Sequence, residues 1–139
     1  MNLKQILLIV GGLTCAAAQT TSGPLIANLG TAKWTHDKGD PPGSESVFLR
    51  ADEKTHGIEL LVRFPAGHVI APHSHDSNER ILVLEGQLML RQESGETAID
   101  TGGFAFLPAR EVQRLSCGAK SRCTFYLAWD GSPKSSPAK

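Results

Sequence analysis

The sequence carries no charge of one sign in excess: 14 Lys and Arg stand against 14 Asp and Glu in 139 residues. No run of Lys or Arg is interleaved with aromatic residues. Affinity for a phosphate backbone comes from concentrated basic surface that displaces counterions, so a nucleic-acid partner is excluded. No internal repeat is present, which removes solenoids and propellers. Past the N-terminus, no segment of helical length shows a 3.6-residue apolar period. The longest apolar run falls short of the about 20 residues that a membrane-spanning helix needs. Cysteines number only three. What the chain does have is turn chemistry, with 14 Gly and 8 Pro. Its length suits one domain with a genuine core and is too short for two ordinary ones.

The N-terminus differs in kind. Lys4 supplies a positive charge, residues 6–18 are almost wholly apolar or small, and Ala16 and Ala18 form an A-x-A-type site before Gln19. This pattern predicts a secretory signal peptide over residues 1–18, the alternative being an uncleaved anchor. The mature protein is then expected to be periplasmic or secreted, with no membrane attachment after cleavage. Residues 19–27 read as a leader and 132–139 as a disordered tail.

Export gives the cysteines a meaning. Cys15 leaves with the signal, and Cys117 and Cys123 remain as a pair in an oxidising compartment. The short "GAKSR" between them reads as a hairpin-like connection across adjacent strands. A Cys117–Cys123 disulfide is the favoured reading, over two free buried thiols.

Residues 28–131 form a succession of strand signals. "GIELLVRF" sets Ile58, Leu60, Val62 and Phe64 on one face and Glu59 and Arg63 on the other. "SVFLRAD", "RILVLEG", "QLMLRQ", "FAFLP", "VQRLSC" and "CTFYLAW" are separated by Gly, Pro, Asp or Ser turns. The prediction is all-β, a sandwich or barrel.

Within this frame lies "GHVIAPHSHDSNERILVLEG". Residues two apart on a strand share a face, so His73 and His75 converge. Pro72 disfavours helix there. Glu79 opens the next apolar run after a short turn, and an antiparallel return would carry its carboxylate opposite the imidazoles. Two neutral nitrogens and one carboxylate are a facial ligand set with open positions, suited to Fe, Mn, Ni or Zn.

Gly67, His73, His75, Glu79 and Gly86, spaced G-x5-H-x-H-x3-E-x6-G, resemble the first motif of the cupin superfamily position for position. The second cupin motif is G-x5-P-x-G-x2-H-x3-N. Here Gly102 and Pro108 match, while Arg110 replaces the glycine, Gln113 the histidine and Cys117 the asparagine. The resemblance spans roughly Asn28 to Asp130. It implies a single double-stranded β-helix, or jelly-roll, barrel and one divalent metal ion on His73, His75 and Glu79. Gln113 stands where a fourth ligand would be. An amide oxygen is a weak ligand, so Gln113 either ligates, hydrogen-bonds a metal-bound molecule, or only fills the barrel.

The resemblance further implies a small-molecule ligand or substrate and leaves a homodimer open. Two readings of function follow. One is a metal-dependent enzyme, an oxygenase or a non-redox isomerase or lyase. The other is a non-catalytic periplasmic cupin that binds or senses a small ligand, sugar or metal. Tyr126 is the candidate substrate contact, because it alone among the aromatics expected in the lining has a hydroxyl. Phe64, Phe104, Phe106 and Phe125 read as core or barrel lining. Strand alternation sends Arg63, Arg80 and Arg114 outward, and puts His68 on the face opposite His73.

Overall fold

A computed structural model describes residues 23–38, 40 and 42–138, so the signal-peptide reading lies outside the described residues. Ten strands run in chain order: β1 (Glu45–Ala51), β2 (Ile58–Phe64), β3 (Val69–His75), β4 (Glu79–Glu85), β5 (Gln87–Gln92), β6 (Gly95–Asp100), β7 (Phe104–Leu107), β8 (Gln113–Cys117), β9 (Cys123–Trp129) and β10 (Ser135–Pro137). No helix occurs among the described residues. The strands form two five-stranded sheets, one ordered β1-β2-β9-β4-β7 and the other β10-β3-β8-β5-β6, with every pairing antiparallel. Successive strands cross between the sheets, as β3 to β4 and β8 to β9 do. This is the jelly-roll barrel expected from the sequence.

The strand periodicity builds the core. Leu60, Val62 and Phe64 of β2, Ile81 and Val83 of β4, and Phe125 and Leu127 of β9 point inward from the first sheet. Leu88, Leu90 and Leu115 answer them from the second. Each such side chain contributes about 1.5–3 kcal/mol through burial. Gly86, which links β4 to β5, has a φ of 73°. A Cβ there would collide with the Arg122 carbonyl, so glycine is required twice over.

Three expectations change. The segment read as a disordered tail contains β10, which pairs with β3: Ser135 opposite His75, Ser136 opposite Ser74, Pro137 opposite His73. Its polar, proline-rich composition suits a short edge strand, where the nitrogen of proline can face open solvent. Phe104 and Phe106 do not line the core and are 61% and 47% exposed. Their strand, β7, ends its sheet, and its alternation spends the inward positions on Ala105 and Leu107. Finally, Cys117 and Cys123 do form a disulfide-capable pair, with Cα atoms 5.7 Å apart, but they are not neighbours in one sheet. Cys117 ends β8 and Cys123 begins β9, so the pair joins the two sheets at a barrel corner.

Candidate functional site

The site begins with a defect in β3. Ile70 faces Leu115 of β8, yet the next registered pair is His73 with Gln113. Three steps on β3 therefore match two on β8, which is a bulge at Ala71–Pro72. Proline lacks the amide hydrogen that a regular ladder would need there. The extra residue resets the alternation, so Ile70 and His73, an odd number apart, are both buried. The same reset overturns the placement of His68. Its ring packs on the core residue Phe64, 4.6 Å between centroids, with Nε2 buried and without a hydrogen-bond partner.

Beyond the bulge the ordinary period returns, and His73 and His75 are both inward and buried. Their rings lie 4.9 Å apart, edge to face. The Nδ1 of His73 is 2.8 Å from the Ala71 carbonyl oxygen, and the Nδ1 of His75 is 2.9 Å from that of Pro133. A carbonyl can only accept, so each Nδ1 carries the hydrogen and each Nε2 keeps its lone pair. The bulge thus supplies the carbonyl that orients His73.

Glu79 opens β4 and lies almost wholly buried across from Leu107 and Trp129. Its Oε2 accepts a hydrogen bond from Gln113 Nε2 and lies 3.8 Å from His75 Nε2. Burial pushes the Glu79 carboxyl up to about 7, although the Gln113 bond favours the charged form. Burial, with the neighbouring His73, pushes His75 down to about 4, and burial lowers His73 as well. At neutral pH both imidazoles are therefore neutral, and the His75–Glu79 approach is not an ion pair.

As placed, no three His, Cys, Asp or Glu side chains among the described residues are gathered tightly enough to hold a metal ion. Glu79 is engaged by Gln113 instead. The chemistry of the set nonetheless fits a divalent cation: two free imidazole nitrogens, one carboxylate and one amide oxygen. Gln113 Oε1 is buried without any hydrogen-bond partner, an arrangement that costs about 1–3 kcal/mol unless something binds there. The structure thus brings together His73, His75, Glu79 and Gln113.

Tyr126 is not with them. It is registered with Leu61 and Leu82, on the outer face of its sheet. There it lines a shallow outer groove with Arg50, Glu59 and Arg80. Arg80 contacts Asp130 and the Phe106 ring on that outer side, and Arg63 pairs with Glu45 beneath Trp34. The alternation that carries Tyr126 out carries Trp129 in. Trp129 packs its ring 5.1 Å from that of His75, and its Nε1 is buried without a partner. Counting by twos from Cys123 along "CTFYLAW" reaches Phe125, Leu127 and then Trp129, so the signal for Trp129 was present in the sequence.

The sequence profile of the ChrR cupin-like domain matches residues 22–129. No curated protein sequence matches the chain. Among solved structures, the polyketide cyclase RemF from Streptomyces resistomycificus superposes with a TM-score of 0.67 at 17% identity, covering 82% of this chain and 84% of its own. KdgF from Halomonas sp. gives a TM-score of 0.62 at 17% identity, covering 79% and 94%. A chain from the complex of Rhodobacter sphaeroides SigE with the anti-sigma ChrR gives 0.59 at 19% identity, covering 74% of this chain and 51% of that one. At these identities the likeness is one of fold.

Proposed function

For a chain that belongs to the ChrR cupin-like domain family, within the cupins, we propose the function of an exported metal-binding protein acting on a small organic molecule. In this reading His73 and His75 bind one divalent metal ion through Nε2, Glu79 binds it through its carboxylate, and Gln113 offers its unpartnered Oε1. The observation that carries the reading is the pair of imidazoles whose Nδ1–H groups are committed to backbone carbonyls. That arrangement leaves both Nε2 atoms available in a buried site beside a carboxylate.

Iron(II) bound there would supply oxidation by dioxygen, whereas Mn, Ni or Zn would supply Lewis-acid chemistry without redox change. The residues themselves define what a second ligand meets. Gln113 and Glu79 supply the polar groups, Trp129 beside the His75 ring carries a buried Nε1 donor with no partner, and Leu107, registered opposite Glu79, is a buried apolar neighbour. A small molecule with one acceptor oxygen suits this set of groups. Trp129 takes the contact role that Tyr126 had in the sequence reading.

The N-terminal pattern and the Cys117–Cys123 pair support export, since a disulfide persists in an oxidising compartment. A second reading is favoured by the engagement of Glu79 with Gln113, which leaves the ligand set ungathered: a non-catalytic binder or sensor of a small ligand, sugar or metal.

Metal content per chain, measured on protein expressed with Fe, Mn, Ni and Zn supplied, tests the proposal. About one metal ion per chain is expected, lost in His75→Ala and Glu79→Ala variants that keep their fold. Metal-free wild-type protein would refute it. Oxygen uptake or product formation with small organic substrates supports the enzyme, and saturable binding without turnover supports the binder.

A further inference from the structure

The C-terminal segment after Gly131 lies along the strand that bears both histidines, and it touches that strand through backbone groups from end to end. Ser77 Oγ donates to the Ser132 carbonyl at 2.7 Å, and the Asp76 amide donates to the Lys134 carbonyl at 3.1 Å. The Ala138 amide donates to the Pro72 carbonyl at 3.2 Å. Between these anchors β10 pairs residue for residue with Ser74 and its neighbours. The ladder bonds thus fall on even-numbered residues of the segment. Pro133 and Pro137 occupy the alternate positions, where an amide hydrogen would not face β3. Pro137 removes one donor from the outer edge of β10 and leaves the Ser135 amide on that side, which weakens the edge as a template for a further strand. Pro133 has its φ restricted by its ring, and its carbonyl is the group that accepts from His75 Nδ1.

The two histidines therefore depend on different parts of the chain. His73 takes its orienting carbonyl from Ala71, two residues away inside the bulge. His75 takes its own from Pro133, separated by 58 residues and delivered only when β10 is docked. We propose that the C-terminal strap is a positioning element: by presenting the Pro133 carbonyl to His75 Nδ1, it selects Nε2 as the nitrogen that faces the buried site. Undocking the strap frees the His75 ring to carry its hydrogen on either nitrogen, while His73 is unaffected. The purpose of the freed nitrogen rests on the metal-binding reading above, but the choice of nitrogen does not.

Long-range proton–nitrogen NMR of the histidine rings in the metal-free protein reads the tautomers directly. The whole chain should show both His73 and His75 hydrogenated on Nδ1. A variant ending at Gly131 should keep His73 on Nδ1 and shift His75 toward Nε2–H. Zinc affinity of that variant should fall by about 10- to 100-fold, the usual effect of removing a group that orients a ligand. Should the truncated chain fail to fold, Ser136→Pro in the whole chain removes a donor from the middle of the ladder and should produce the same shift at His75. His75 remaining on Nδ1 in a folded strap variant, or carrying Nε2–H in the whole chain, overturns the proposal. Failure of the whole chain to bind zinc overturns the metal-binding reading instead, and the tautomers still decide the strap.

Discussion

Gln113 stands directly across the sheet from His73, the first registered pair after the bulge in β3, and it gives its amide hydrogen to Glu79. One neutral side chain therefore faces an imidazole and holds a carboxylate while its own oxygen stays buried and unpartnered. In the second cupin motif this position belongs to a histidine. On the proposed metal-binding reading, the substitution replaces a strong fourth ligand with an amide that offers at most a weak one and that holds Glu79 by a hydrogen bond.

Gln113→His should therefore raise affinity for zinc, by about tenfold on the scale of changes to metal-orienting groups. Competitive titration against a chelator measures it. Equal affinity in the variant and the wild type would mean that Gln113 has no part in the centre.

The metal-free protein should show two opposed pH dependences from the same pocket. Glu79 has a raised folded pKa, so its contribution is fully present below pH 4.5 and is lost as pH rises through about 7. His75 has a lowered folded pKa, so its contribution is present above pH 6.5 and is lost as pH falls through about 4. Glu79→Gln should abolish the loss between pH 4.5 and 7 and leave the acid-side loss in place. Urea midpoints across that range, taken in the presence of a chelator, check the sign. A wild-type midpoint that gains on that of Glu79→Gln as pH rises from 4.5 to 7.5, a comparison in which the histidine contributions cancel, would contradict the assignment to Glu79.

Arg110, where the cupin motif has glycine, adopts a φ of 68°. Its amide donates to the His75 carbonyl at 2.8 Å, which ties the β7–β8 loop to the histidine strand. The left-handed region costs an L-residue about 1–2 kcal/mol, and that strain outweighs or matches the extra chain entropy of glycine. Arg110→Gly should leave the urea midpoint unchanged or higher, whereas Arg110→Val should lower stability by more than about 1 kcal/mol. A clear loss in the glycine variant would count against the strain.

Exported protein should be two hydrogens lighter by intact mass than its fully reduced form, with Cys117 and Cys123 in one bridged peptide. Closing so short a loop stabilises by roughly 2 kcal/mol, so Cys123→Ser should lower the thermal midpoint by several degrees. Two alkylatable thiols in the exported protein would remove the bridge.

Much of the site was legible because its elements are periodic. His73 and His75 share a face through the two-residue repeat of a strand, and Glu79 follows after one short turn. Leu60, Val62, Phe64 and Phe125 reach the core by the same rule. Jelly-roll architecture followed from strands without helices, with the motif spacing pointing to the cupins.

Where sequence reading and structure part, the deciding contacts are non-local. Parity alone would put Ile70 and His73 on opposite faces, and only pairing with β8 reveals the bulge that aligns them. Tyr126 had the chemistry of a site residue, but its register with Leu61 and Leu82 turns it outward and brings Trp129 in. Phe104 and Phe106 look like core residues until β7 is seen to end its sheet, where Arg80 lies over the Phe106 ring and both rings stay exposed. The C-terminal residues have a disordered composition, yet β3 offers them an open edge. Residue types and short spacings set which groups could act as ligands. Long-range strand pairing decided which of them face inward and which nitrogen of His75 is free, because facing and tautomer depend on neighbours tens of residues away.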